Sequence, residues 1–229
     1  MKKIIFVLWA TLIFASAYAQ GVSKISLTQS GNITAIAFEP EKNLMLNVST
    51  DGHIINFGYD VFKERGVDNY FEKLEKYAGN IEYYTDKDDE AFRGKVKYIG
   101  RTLLTYYASF EGQEFAGKLK TVGINLIQYY NNSENEVQRG KIKSIGTDMI
   151  TWYSSFENEA YRGKIKSFGS TQFSYYSSFD DKAYQGNIKS INGSSFNYYS
   201  SVDRTELRGR MSSGSPTLFF SGIKYFVKQ

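Results

Sequence analysis

GKIKSIGTDMITWYSSFENEAYR (140–162), GKIKSFGSTQFSYYSSFDDKAYQ (163–185) and GNIKSINGSSFNYYSSVDRTELR (186–208) are three copies of one unit. Glycines fall at Gly94, Gly117, Gly140, Gly163, Gly186 and Gly209, each 23 residues after the last. A fixed period of this length marks a stacked-repeat architecture. Each unit divides in two. The first half reads G-K-apolar-K-x-apolar and ends at Gly100, Gly123, Gly146, Gly169 or Asn192. Gly and Asn tolerate positive φ, so this column predicts a tight turn. The second half runs through an aromatic pair to an acidic stretch before the next glycine. Two strands of about six residues and two turns fill 23 residues, and no 3.6-residue period competes.

The fold expected is therefore all-β, an elongated single-sheet array of tandem 23-residue β-hairpin repeats. Six repeat rows predict about 12 strands and a length of roughly 58 Å. The rival is a parallel β-solenoid with one coil per repeat and half that length.

Stacking the units gives columns. Leu104, Ile127, Ile150, Phe173 and Phe196 form an apolar column, and Tyr106, Tyr129, Trp152, Tyr175 and Tyr198 follow two residues on. Alternation along a strand puts both on one buried face. The same count assigns Phe110, Phe156, Phe179 and Val202 to that face, with Ser133 as the exception. Val96, Leu119, Ile142, Ile165 and Ile188 join it from the first strand. The opposite face carries an unbroken tyrosine stripe, Tyr84, Tyr107, Tyr130, Tyr153, Tyr176 and Tyr199, among Ser, Thr, Asn and Gln.

Lys97, Lys120, Lys143, Lys166 and Lys189 line the first strand, and Asp88, Glu111, Glu134, Glu157, Asp180 and Asp203 mark the turns. The acidic column reads as turn chemistry and surface pairing. One carboxylate per unit falls far short of the six to eight oxygens a calcium ion takes. Flat aromatic faces with hydroxyl and lysine donors suit a sugar. Tyr107, Tyr130, Tyr153, Tyr176 and Tyr199 with Lys120, Lys143 and Lys166 are thus the candidate ligand-binding residues. The competing reading is that the stripe only stabilises the sheet through cross-strand pairs.

The flanks read differently. Lys2 and Lys3, an apolar run over residues 4–15 and Ala17-Tyr18-Ala19 predict a secretory signal over residues 1–19. The run is too short to span a bilayer, and Gln20 at the cut is not the cysteine of a lipid anchor. The mature chain then carries 26 basic and 24 acidic residues, a near-balance that argues against a nucleic-acid surface. It has no cysteine, so neither disulfides nor thiol chemistry enter. Residues 20–72 read as a hairpin region, with strands near 25–28, 33–38, 44–48 and 54–57 and turns at Ser30-Gly31-Asn32 and Asp51-Gly52. Residues 68–74 are compatible with one helical turn capped by Asp68. The repeats occupy residues 73–211. A Ser/Gly-rich stretch and a shortened strand over 212–229 form a C-terminal cap.

Tyr161-Arg162-Gly163, Tyr184-Gln185-Gly186 and the looser Leu207-Arg208-Gly209 resemble the MORN repeat, a hairpin unit of this length opening with Tyr-x-Gly. The likeness covers roughly residues 90–210. It departs where MORN units carry a further G-x-G step, here aromatic. The G-K-I-K-S-I-G and Y-Y-S-S-F segments look more like uncharacterised exported bacterial β-repeat proteins. The resemblance implies a β-sheet scaffold attached to a membrane or protein, and it assigns no binding residue.

Catalytic constellations are thin. His53 is the only histidine, and with Asp51 and Asp60 it is the sole hint of a hydrolase. The expectation is a non-enzymatic scaffold or binding protein, exported to the periplasm, cell surface or medium. Its partner would be a polysaccharide or envelope protein, without cofactor, metal or nucleic acid. A carbohydrate-binding module on the tyrosine stripe is the alternative.

Overall fold

The computed structural model describes residues 21–64 and 72–228. The predicted signal lies outside the described residues, as does most of the turn expected over 68–74. Eleven strands form one antiparallel sheet from the repeats: β5 (Ile81–Tyr83), β6 (Val96–Ile99), β7 (Thr102–Tyr106), β8 (Leu119–Val122), β9 (Asn125–Tyr129), β10 (Ile142–Ile145), β11 (Asp148–Trp152), β12 (Ile165–Phe168), β13 (Thr171–Tyr175), β14 (Ile188–Ile191) and β15 (Ser194–Ser195). Strand order follows chain order, and every neighbouring pair is antiparallel. This is the tandem-hairpin array. The solenoid falls, because like columns of successive repeats are separated by an intervening antiparallel strand.

The hairpins turn where the sequence requires. Gly100, Gly123, Gly146, Gly169 and Asn192 all take positive φ, between 47° and 60°. Primed two-residue turns of this kind match the twist of the strands they join. Each first strand also carries a bulge opposite the aromatic column, for instance between Ile142 and Ser144 where they face Tyr129 and Gln128. The bulge leaves a carbonyl for the aromatic column to use. Tyr129 donates its hydroxyl to Leu119 O at 2.6 Å, Trp152 its indole N–H to Ile142 O at 3.0 Å and Tyr175 its hydroxyl to Ile165 O at 2.9 Å. The ladder is open at its last rung, where Tyr198 buries its hydroxyl without a partner.

That difference gives a test. Tyr175→Phe orphans Ile165 O and should lower stability by about 1–2 kcal/mol, since a buried polar group left unpaired loses its full desolvation cost. Tyr198→Phe removes an unpaired hydroxyl and should raise stability by about 1 kcal/mol. Urea midpoints decide it. Equal losses in both variants would show that the ladder hydrogen bonds contribute nothing.

A second sheet of six strands covers the apolar face of the array. It is built from β1 (Val22–Thr28), β2 (Ile33–Glu41), β3 (Leu44–Val48), β4 (Ile54–Tyr59), β18 (Thr217–Phe220) and β19 (Ile223–Lys228), in the order β18-β19-β1-β2-β3-β4. Directly after β15, β16 (Asn197–Tyr198) pairs with β17 (Met211–Ser213) as a short antiparallel continuation of the repeats. The first and last segments of the chain, read as separate regions flanking the repeats, are thus one sheet. They meet where β1 pairs in parallel with β19, from Lys24 opposite Lys224 to Thr28 opposite Lys228. One hydrophobic core spans both layers, joining Leu27, Phe38, Leu46 and Tyr225 to Leu104, Ile127, Ile150 and Phe173.

Hydrogen bonds fix how the layers sit. The bulged strands present backbone N–H groups that the hairpin turns of the second sheet accept. Leu119 N–H donates to Gly52 O at 3.1 Å, Ile142 N–H to Thr50 O at 2.7 Å and Ile188 N–H to Gln29 O at 2.9 Å. The central strands of the second sheet are buried on their outer face as well, at Ser26, Ala35, Ala37, Met45 and Asn47. Every residue of β3 is buried. After a one-turn helix, α1 (Val61–Glu64), the chain returns to place Glu72 against Ser26, Lys24 and Lys228. No described helix is long and apolar enough to cross a membrane.

Candidate functional site

The tyrosine stripe serves the array itself. Five of the six hydroxyls donate to a backbone carbonyl 20 residues on: Tyr84 to Leu104 O (2.9 Å), Tyr107 to Ile127 O (2.8 Å), Tyr130 to Ile150 O (2.9 Å), Tyr153 to Phe173 O (2.9 Å) and Tyr176 to Phe196 O (3.0 Å). The rings sit edge-on between loops. Tyr153 lies 4.7 Å from Tyr161 and 5.7 Å from Tyr175, and Tyr176 repeats this against Tyr184 and Tyr198. Tyr199, the last of the column, is half-buried, and its N–H donates to Arg210 O. Burial, and after it the neighbouring aromatic hydroxyls and turn carboxylates, pushes Tyr153 and Tyr176 above the usual phenol range.

The lysine column covers what remains of the rings. Lys120 lies over Tyr107 at 5.3 Å, Lys143 over Tyr130 at 5.2 Å and Lys166 over Tyr153 at 5.1 Å. The same ammonium groups pair with Glu111, with Glu134 at 3.0 Å and with Glu157 at 3.0 Å. The structure therefore brings Tyr107, Tyr130 and Tyr153 together with Lys120, Lys143 and Lys166, but in Tyr–Lys–Glu triads whose polar atoms already have partners, while Lys189 covers Tyr176 at 5.5 Å and Tyr199 lies outside the triads.

The acidic column does the turn work expected of it. Asp88, Glu111, Glu157, Asp180 and Asp203 each accept the backbone N–H three residues earlier, as Glu157 does from Ser154 at 2.6 Å. A neighbouring position links loop to loop. Asn158 accepts the Ser178 N–H at 3.0 Å and donates to its hydroxyl, and Asn135 does the same for Ser155.

A second lysine column went unassigned in the sequence. Lys118, Lys141 and Lys164 donate to Gly140, Gly163 and Gly186 carbonyls at 2.7, 2.6 and 2.6 Å, and Lys95 to that of Gly117. Each lies over a buried aromatic ring, closest at 4.7 Å for Lys141 on Trp152. Burial lowers all four amines from their ordinary value. The signal was present, since the residue after each repeat glycine is Lys in four consecutive units.

Phe110, Phe156, Phe179 and Val202 are the correction. They were assigned to the buried face and are 84, 93, 93 and 90% exposed. Alternation carries a side chain to a known face only while the ladder lasts. Here β11 ends at Trp152, and the capping carboxylate of Glu157 turns the chain outward before Phe156 is reached. The four stand on four of five consecutive loops along one edge of the array. Ser133 interrupts them.

The hydrolase hint does not assemble. His53 Nε2 lies 3.6 Å from Asp51 Oδ2, both exposed, beside a cleft of about 330 Å³ lined by Gly52, Lys95, Val96 and Tyr106. Asp60 lies in a different cleft, with Lys42, Tyr59 and Glu75, at the far end of β4. At about 3.3 Å per residue that is roughly 20 Å away. Among the described residues, no group of three or more His, Asp or Glu is placed to hold a metal ion. No family model, curated protein or solved structure matches this chain.

Proposed function

We propose that this chain is an exported, non-enzymatic β-repeat scaffold that binds a partner of the cell envelope or extracellular space along the loop edge of its array. One observation carries this reading. Three phenylalanines and a valine recur at the repeat period, at least 84% exposed, on loops that are otherwise closed by their own hydrogen bonds. Apolar side chains this exposed bury almost no surface within the fold, and a row of them supports reading the edge as an interaction surface. Export is inferred from the first 19 residues. The MORN likeness points the same way, toward a scaffold that attaches.

The carbohydrate reading on the tyrosine stripe has less behind it, because hydroxyls and ring faces there are occupied by the protein's own carbonyls and lysines. A retention assay separates the two. The mature protein is passed over whole envelopes and insoluble polysaccharides beside Phe156→Ser/Phe179→Ser and Tyr153→Phe/Tyr176→Phe. Retention should drop about tenfold or more in the phenylalanine pair and persist in the tyrosine pair, as loss of anchors dominates binding energy. A phenylalanine pair retained as well as the wild type would remove the loop edge as the binding surface.

A further inference from the structure

Both end hairpins of the array are split between the two sheets. Residues 73–76 hold the first-strand place of a repeat, 23 before residues 96–99. Yet Glu75 pairs with Tyr59 of β4, through backbone bonds of 2.9 Å each way. The second strand of that hairpin, β5, stays behind as the first strand of the array. At the other end β17 holds a first-strand place and pairs with β16, while β18, next in the repeat, has left to pair with β19. The array thus begins with a second strand that lacks its first and ends with a first strand that lacks its second. Its two free edges are the halves of one hairpin.

The groups that tie each repeat to the next run out at these edges. Inside the array Asn158 and Asp181 accept from Ser178 and Ser201, 20 residues on. The next acceptor position holds Arg204, and the donor position one period before Ser109 holds Asp86, both exposed. Tyr176 donates to Phe196 O, whereas the carbonyl 20 residues beyond Tyr199 lies on the diverted β18. Tyr175 reaches Ile165 O, whereas the carbonyl ten residues before Tyr83 lies on the diverted segment, and Tyr83 is 53% exposed. Lys164 donates to Gly186 O, whereas Arg210, last in that column, has no repeat glycine after it. Among the described residues, the side chains of Asp86, Arg204 and Arg210 and the hydroxyls of Tyr83 and Tyr199 have no hydrogen-bonding partner.

Counting on by six repeat periods finds every missing partner at the opposite end of the molecule. Arg204 comes to Asp86, the Tyr199 hydroxyl to Ile81 O, the Tyr83 hydroxyl to Met211 O and Arg210 to Gly94 O. Gly94 marks the open side in space. A β-carbon on Gly117 or Gly186 would meet the preceding repeat's Ala91 or Ala160 carbonyl at 2.6 or 2.7 Å, whereas one on Gly94 meets nothing within 4 Å.

We propose that copies of this chain join head to tail, β17 of one against β5 of the next, so that the hairpin array runs on through the junction. The interior register, Ser190 opposite Ser195, then sets Ser213 opposite Asn80 and Gly214 opposite Gly79, with small residues where each chain leaves the array. Edge-to-edge pairing supplies main-chain hydrogen bonds, and the Arg204–Asp86 match sets which edges meet. Two different surfaces are in contact, so each added copy leaves a free end and the assembly stays open. This contact is independent of the loop edge and its partner.

Sedimentation velocity of the mature protein from about 10 μM to about 1 mM tests it, a range that reads even weak contacts. Gly94→Asn blocks one end: Asn tolerates positive φ, but its side chain stands where the incoming Glu206 carbonyl would lie. Arg204→Glu/Arg210→Glu blocks the other, setting carboxylates against Asp86 and the Gly94 carbonyl. The wild type should grow with concentration through dimers and trimers to longer chains. Each variant alone should associate at least about tenfold more weakly, a difference of about 1.4 kcal/mol. Their equimolar mixture should form a one-to-one dimer and stop, because each variant keeps one working end. Unchanged thermal melting of the arginine variant, altered only at exposed positions, excludes loss of fold as the cause. A wild type that stays monomeric to about 1 mM overturns the proposal. So does a dimer that stops at two or survives in both variants, the sign of a self-complementary contact. A mixture that fails to dimerise overturns it as well.

Discussion

Raising the pH from about 10 to about 12 should unfold this protein, because burial opposes ionisation of its core tyrosines. Burial, as the largest cause, pushes the Tyr106, Tyr129, Tyr175 and Tyr198 hydroxyls far above the usual phenol value of about 10. A group whose folded-state pKa is raised contributes stability that is complete below the unfolded pKa. It is lost as pH climbs toward the folded value, at about 1.4 kcal/mol per pH unit. For four such groups the loss at about pH 11.5 is roughly 8 kcal/mol, comparable to the whole stability of an ordinary domain. Lys95, Lys118, Lys141 and Lys164 run the other way. Burial depresses them, so their unfavourable contribution at neutral pH fades as pH rises, and it is gone above the unfolded value of about 10.5. They delay the transition without reversing it. Sheet circular dichroism and tyrosinate absorbance should change together. Tyrosinate rising with a midpoint near 10 while the sheet signal persists would show those hydroxyls to be open to water.

Gly52→Ala should cost about 3 kcal/mol and loosen the two layers from each other. Gly52 sits at φ +87°, where a side chain is strained. A β-carbon there would overlap the Tyr129 hydroxyl and lie 2.8 Å from ring carbon Cε1. The ring cannot retreat, since its hydroxyl is held on Leu119 O within the core. Overpacking of this kind typically costs 1–3 kcal/mol beyond the backbone strain. The same turn supplies the carbonyl that receives Leu119 N–H, so the exchange protection of that amide should fall with the global stability. Gly21→Ala, with nothing within 4 Å of its β-carbon, is the control and should be neutral. Equal urea midpoints for the two variants would mean that the Gly52 turn does not set the docking.

The repeat was legible because each column has one physical job repeated at one spacing. Leu104 to Phe196 face inward, and Gly100 to Asn192 turn, at every copy. Errors began where the strand stopped. Phe156 was counted inward by alternation past Trp152, although Glu157 three residues after Ser154 already spells a capped turn that ends the count. The tyrosines were read as an open polar face because no local pattern shows that five of the six hydroxyls reach a carbonyl 20 residues away. That contact exists only once neighbouring hairpins are stacked. What covers the apolar face was likewise beyond a one-dimensional reading. The strands of residues 20–60 were visible, but their placement depends on three backbone hydrogen bonds from bulged strands. The candidate site that now stands out, the loop edge, was found through a column whose burial was misassigned.

The parallel pairing of β1 with β19 sets the order in which this molecule can assemble. The hairpins of the array close over a few residues each, whereas Lys24 meets Lys224 only after the entire chain between them exists. Closing a loop of that length carries an entropic penalty that local contacts must first reduce, and such distant pairings slow folding. The repeats are therefore the early-forming element, and the first residues to emerge are among the last to settle. Until the C-terminal strand arrives, β1 has one edge unpaired and open to other chains. A second layer completed by the last strand of the chain cannot lock shut before the final residues are available to pair.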